Sequence, residues 1–255
     1  MQRHRKKTGM PIRLWAVLLW LLVWQIAGTA AGQPIFFVTP SRVLARFLAL
    51  AVNPAFWGAI LYSSLRIVLG FVLSALLGGG LALLSSRQRR AEELLAPLML
   101  VIRAVPVVSF IILALILFSS ERLSVLISFL MGLPVFYQNT LEGIRSADPL
   151  LEEMAELFRI PPGRRFRYIV LPQILPYYEA ALLTAAGLCW KAGAAAEVIG
   201  MPDGSIGERL QQAKVYLETA DLFAWTLGII LCAVLLEKLS LQVLRAAGRF
   251  LARMP

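Results

Sequence analysis

Residues 152–176 read EEMAELFRIPPGRRFRYIVLPQILP. The stretch opens with carboxylates, breaks at Pro161-Pro162, turns basic and then runs into an apolar segment. Asp148 just upstream is a good N-cap and Pro149 suits the first helical position, so a helix is expected from about Pro149 to Arg159. It must end before the proline pair. Some 11 residues at about 1.5 Å rise make a helix of about 16 Å, roughly half the hydrocarbon thickness of a bilayer. Leu150, Leu151, Met154, Leu157 and Phe158 form one apolar stripe, and Glu152, Glu153 and Glu156 form a polar face. A helix too short to span, set in a chain built of longer apolar runs, gives an all-α, polytopic membrane protein with one amphipathic helix kept outside the bilayer.

The composition agrees. The chain has 255 residues, 59% of them hydrophobic and 16% charged, with a mean hydropathy of +0.74. A soluble domain is nearer half apolar and about a quarter charged. The net charge of +10 would suggest nucleic acid in a soluble protein. Here the basic residues sit between apolar runs and read as cytoplasmic loops, so no nucleic-acid partner is expected. Cys189 and Cys232 lie inside apolar runs without metal-like spacing, and a disulfide framework is not expected. His4, in the basic N-terminal tail, is the single histidine, which excludes a His-based triad or a histidine metal site. No catalytic, cofactor or metal residues are expected.

The chain divides into a basic tail (1–10), a first apolar run (11–31), an external segment with an interfacial helix (32–57), a transmembrane core (58–244) and a second tail (245–255). The first run has a signal-peptide-like basic start and small residues at its end. Its length and its tryptophans Trp15, Trp20 and Trp24 favour a retained span. Further spans are expected at about 58–84, 94–118, 123–143, 176–199 and 222–239, six in all. Lys and Arg gather on one side: Arg3, Arg5, Lys6, Lys7, Arg13, Arg87, Arg89, Arg90, Arg145, Arg159, Arg164, Arg165, Arg167, Lys238, Arg245, Arg249 and Arg253, against Arg42, Arg46, Arg122, Arg209 and Lys214 on the other. By the positive-inside rule both termini and the 146–172 loop are cytoplasmic. The acidic helix suits anionic inner-leaflet lipid poorly. A protein groove receives it better, and packing on its own spans is the plainer alternative.

Four charges fall inside expected spans: Arg66, Arg103, Lys191 and Glu197. Each costs about 2.5–3.5 kcal/mol at a helix centre, so each is expected to face protein or water. Arg66 and Glu197 are read as structural ion-pair partners near the external ends, and Arg103 as lying in the cytoplasmic third of its span. Lys191, with Trp190 beside it and Arg103, is a candidate for a translocation path that favours an anion. A structural lysine that snorkels or pairs is the competing reading.

The loop also resembles the Glu-Ala-Ala loop of ABC importer permeases. Glu153, Met154 and Ala155 fall on its first element and Ile169, Leu171 and Pro172 on its last. Arg159 stands where the family has glycine, which puts the conformation after the helix in question. FVTPSRVL, SSLRIVLGFVLSALLGGGLALL, IRAVPVVSFIILALILF and WKAGAAAEVIG…GSIGERL resemble further segments of that family in the same order, within its nitrate, sulfonate, taurine and bicarbonate group. The resemblance implies a type I importer permease of six spans in a bacterial inner membrane. It implies a homodimer whose coupling helix, Glu152 to Arg159, docks a cytoplasmic ATPase, and an extracytoplasmic binding protein that delivers the solute. The chain shows no Gly-x-x-x-x-Gly-Lys-Ser/Thr phosphate loop, so ATP hydrolysis is expected in a partner. The expected solute is an anion such as a sulfonate, taurine or nitrate. A neutral or cationic nutrient such as a thiamine precursor, and an ion-coupled secondary transporter, are the alternatives. A membrane enzyme lacks its nucleophile or metal set.

Overall fold

The computed structural model describes residues 14–32 and 37–253. The basic tail 1–10 and the first residues of the 11–31 run lie outside them. The described chain folds as α1 (Leu14–Ala30), α2 (Pro40–Ala51), α3 (Pro54–Arg87), α4 (Arg89–Ala104), α5 (Val107–Leu117), α6 (Ser120–Arg145), α7 (Pro149–Leu157), α8 (Pro162–Arg165), a π turn (Phe166–Val170), α9 (Leu171–Gly200), α10 (Ile206–Val215) and α11 (Thr219–Arg253).

Among the described residues, four helical segments are long and apolar enough to cross a membrane: α3, α6, the continuous run Pro162–Gly200, and α11. The pair α4 and α5 passes that test jointly. Helix α1 adds a shorter, mostly apolar stretch of 17 residues, about 26 Å at 1.5 Å per residue. Four of the six expected spans thus appear as helices of spanning length, a fifth as a bent pair, and the first as the shorter helix α1; two differ in shape from the expectation.

The third span is not one rod. Helices α4 and α5 meet at 102°. Pro106 forces the residue before it out of the helical region, and Val105 is extended at φ −74°, ψ 131°. Arg103 accordingly lies in the last turn of α4, at the break, and not within a straight cytoplasmic third. The fifth span starts earlier than expected. Ile169, Leu171 and Pro172 are helical, not the end of a loop, because helix begins at Pro162 and runs on to Gly200. The π turn makes room for this: Leu171 N–H bonds back to Phe166 O, which widens the helix just before Pro172 removes a donor.

Helix α6 packs between α3 and α9. The seam is made by small residues, as bilayer helices require when lipid is as apolar as leucine. On α3, Ser63, Ile67, Gly70, Ser74 and Gly78 are buried, while Leu61, Leu65, Leu69 and Leu76 are exposed. Gly70 lies so close to α6 that a Cβ there would stand 2.4 Å from Val125 O. Outside the bundle, α2 is tied to α11 by Arg46, whose Nη2 donates to Asp221 Oδ2 at 2.8 Å. That bond pushes the guanidinium pKa further up.

Candidate functional site

Helix α7 is assembled as its sequence requires at the front. Asp148 Oδ1 accepts from Leu150 N at 3.0 Å, and Pro149 occupies the first turn. Its rear differs from expectation. The helix ends at Leu157, Phe158 is the C-cap, and Arg159 lies beyond it. Ala155, only 1% exposed, is the face turned inward. Leu150 at 69%, Leu157 at 80% and Phe158 at 70% point away from the subunit, with Leu151 and Met154 less so. Glu153 and Glu156 are exposed beside them; the side chain of Glu152 lies outside the described set.

Two contacts fix α7 to the start of the fifth span. Asp148 N–H donates to Gln173 Oε1 at 2.7 Å, and Gln173 Nε2 donates to Ile169 O at 2.9 Å. Arg165 Nη1 bonds Glu156 Oε1 at 3.1 Å. The sequence did not single out Gln173 or Arg165 for this. Both partners lie on segments expected to be loop, where helical spacing gives no guide to contact.

The intramembrane charges are arranged otherwise than expected. Arg66 and Glu197 make no direct ion pair among the described residues. The Arg66 guanidinium stacks on Tyr62, 3.7 Å from the ring centroid. Glu197 is fully buried and accepts from Ser63 Oγ. Arg103 Nη1 donates to Gln138 Oε1 on α6. Beside Gln138 a cavity of about 560 Å³ opens, lined by Tyr137, Leu141 and Arg145 and, across it, by Glu92 and Pro97. Trp190 and Lys191 are not brought together. Trp190 is 1% exposed in the core formed with Ile67, Phe71 and Phe136, so it does not line an open path in this conformation. Lys191 is exposed, on a face it shares with Thr184.

The family described as "Binding-protein-dependent transport system inner membrane component" matches residues 70–249. The chain belongs to this family. The matched region runs from the middle of α3 into α11 and encloses α7. The permease is similar to a chain named as an aliphatic sulfonates transport permease in Bacillus subtilis (strain 168), 28% identical over 233 residues, 90% of this chain and 83% of the relative. A chain so named in Escherichia coli (strain K12) is 30% identical over 219 residues, 82% of this chain and 83% of the relative. A bicarbonate transport system permease protein of Synechococcus elongatus is 26% identical over 207 residues, 77% of this chain and 74% of the relative.

In this permease Arg159 takes the left-handed conformation that glycine favours. Arg159 has φ +51°. Ile160 N–H bonds Ala155 O at 2.9 Å and Arg159 N–H bonds Glu156 O at 3.0 Å. This is a Schellman end, whose left-handed residue is usually glycine because a Cβ is strained there. Arg159 bears that strain in place. Arg159→Gly should relieve about 1 kcal/mol. Hydrogen exchange at the Ile160 amide should slow about fivefold if that strain limits local opening. Unchanged exchange would show that the strain is relieved elsewhere.

Proposed function

We propose that this permease works as a homodimer, with both termini in the cytoplasm, and imports a small anion. An extracytoplasmic binding protein presents the solute. A separate ATPase, seated on α7, drives the cycle. The observation that carries this reading is the face of α7. It exposes an apolar stripe next to carboxylates, yet the helix is bonded through Asp148, Gln173, Glu156 and Arg165 to the segment that becomes the fifth span. An amphipathic helix presented in this way suits a groove in a protein partner, and its anchoring lets a pull on α7 reach the membrane.

For the solute, the relatives named for aliphatic sulfonates, bicarbonate and nitrate support an anion. Within the chain, the exposed face of α9 carries Thr184 and Lys191, with Gly187 half-buried between them. Nothing lies within 4 Å of where a Gly187 Cβ would be. A cation at membrane depth that is open on the subunit surface needs water or protein in front of it. A path between two copies supplies both.

The test is reconstitution. The permease is co-expressed with its candidate ATPase and uptake of labelled nitrate, ethanesulfonate and bicarbonate is measured with and without ATP. Uptake driven by a proton gradient in the absence of ATP, with no ATPase bound, would overturn the importer reading. Lys191→Ala should lower anion uptake about tenfold or more, the scale of one lost charge-assisted hydrogen bond, while Lys191→Arg keeps most of it. Full uptake with unchanged selectivity in Lys191→Ala would remove Lys191 from the path.

A further inference from the structure

Glu197 is buried on α9, three residues before that helix ends. It is the one acidic side chain that is fully buried among the described residues, and the transport reading has no use for it. Its carboxylate ends a relay that begins on a different element. Ile206 N–H, in the first turn of α10, donates to Ser63 Oγ at 2.9 Å, and Ser63 Oγ donates in turn to Glu197 Oε2. One first-turn amide of α10 is thereby satisfied by α3 and, through it, by a carboxylate on α9, where a negative charge near a helix N-terminus is favourable. The backbones also touch. A Cβ on Gly207 would meet Glu197 C at 2.2 Å and Val198 N at 2.4 Å, both unyielding backbone atoms. Helix α10 is therefore seated on the outer end of α9 by contact and by hydrogen bonding at once. The other carboxylate oxygen, Glu197 Oε1, is buried without a hydrogen-bond partner, as are the Ser124 hydroxyl of α6 and Nη1 of Arg66.

The other end of the same element is held comparably. The helical run from Pro162 to Gly200 has 39 residues, roughly 58 Å at 1.5 Å per residue. Near its start Gln173 and Arg165 hold α7; near its finish Glu197 holds α10. Its two ends thus carry the cytoplasmic docking helix and the external loop helix on one continuous helical segment. We propose that Glu197 is a positioning residue that couples α10 to α9, so that engagement of the external loop by the binding protein is transmitted along this run to α7 and to the ATPase. The proposal rests on the importer reading. It adds to that reading the residue through which the outer face signals to the inner one.

The experiment uses the assembled permease–ATPase complex in proteoliposomes, with ATP hydrolysis measured with and without solute-loaded binding protein. Glu197→Ala and Ser63→Ala should lose about tenfold of the stimulation by binding protein, the usual scale of a coupling between sites. Basal hydrolysis and the amount of ATPase bound should stay within about twofold of wild type, below the fivefold that marks such a coupling. Glu197→Gln, which still accepts from Ser63, should recover part of the stimulation. Ser63→Ala removes a hydroxyl only, and it decides the matter if Glu197→Ala does not assemble. Undiminished stimulation in Ser63→Ala and Glu197→Gln overturns the inference. So does a loss of basal and stimulated rates in equal proportion, which is what a merely structural role gives. A wild-type permease that binds no ATPase fails the importer reading itself, a result distinct from either.

Discussion

Leu157→Asp, or Phe158→Asp, should abolish recovery of the ATPase with the tagged permease while leaving the membrane fold intact. Leu157 closes α7 and Phe158 caps it; both are strongly exposed, and neither contributes to the buried core. Their exposure does nothing for the isolated subunit and is offset only if a partner covers them. Central apolar anchors of an interface cost 2 kcal/mol or more when lost, about 30-fold in affinity, and a carboxylate in the same pocket costs further desolvation. Glu153→Lys should act in the same direction and less strongly, since a charge at the rim changes the approach more than the affinity. The check is co-purification at two salt concentrations alongside melting of the permease alone. An aspartate at 157 that leaves both assembly and transport unchanged would remove α7 as the docking element.

Gly70→Leu should prevent the permease from folding, whereas Gly80→Leu on the same helix should be tolerated. At Gly70 even a Cβ would stand 2.4 Å from Val125 O, 2.8 Å from Ser128 Cβ and 3.0 Å from Phe129 N, two of them backbone atoms of α6. Those cannot step aside as a side chain can. Overpacking a tight core costs about 1–3 kcal/mol per substitution and more where backbones must separate. Around Gly80 nothing lies within 4 Å, and a leucine there adds to a helix face that is apolar already. Detergent-solubilised material should therefore show a cooperative melt for Gly80→Leu and aggregation for Gly70→Leu. Equal melts for the two variants would mean that α3 and α6 do not close on each other through this residue.

The contrast between these two glycines shows where local pattern stops being informative. The run Gly78-Gly79-Gly80 stands out in the sequence as a small-residue stretch. Yet of its members Gly78 and Gly79 are buried and Gly80 is open, and the tightest glycine contact on α3 is more than two turns away at Gly70. A span that is apolar all round has no polar face to tell which side meets protein, so its sequence gives the existence of the helix and not its rotation. The same limit explains the intramembrane charges. Arg66 and Glu197 stand out as charges in greasy runs, and pairing them is a natural expectation. The actual partners are a tyrosine one turn away and a serine 134 positions distant in the chain. Trp190 and Lys191 are adjacent in sequence, but about 100° apart around a helix, enough to send one into the core and the other to the open surface.

The sequence by itself determined the all-helical membrane class, the approximate position of each apolar segment and the front of α7. Each of these depends on length, composition or a cap within a few residues. It also carried the order of segments that marks the family. Only the tertiary structure decided that the third span breaks at Val105-Pro106 by 102°, that helix resumes at Pro162, and that Arg159 holds a left-handed conformation. It alone brought α7 to one end of the fifth-span segment and α10 to the other. Those outcomes depend on which atoms meet across the bundle, through Gln173, Arg165, Ser63 and Glu197. Such contacts join residues far apart in the chain, so no window of sequence contains both partners.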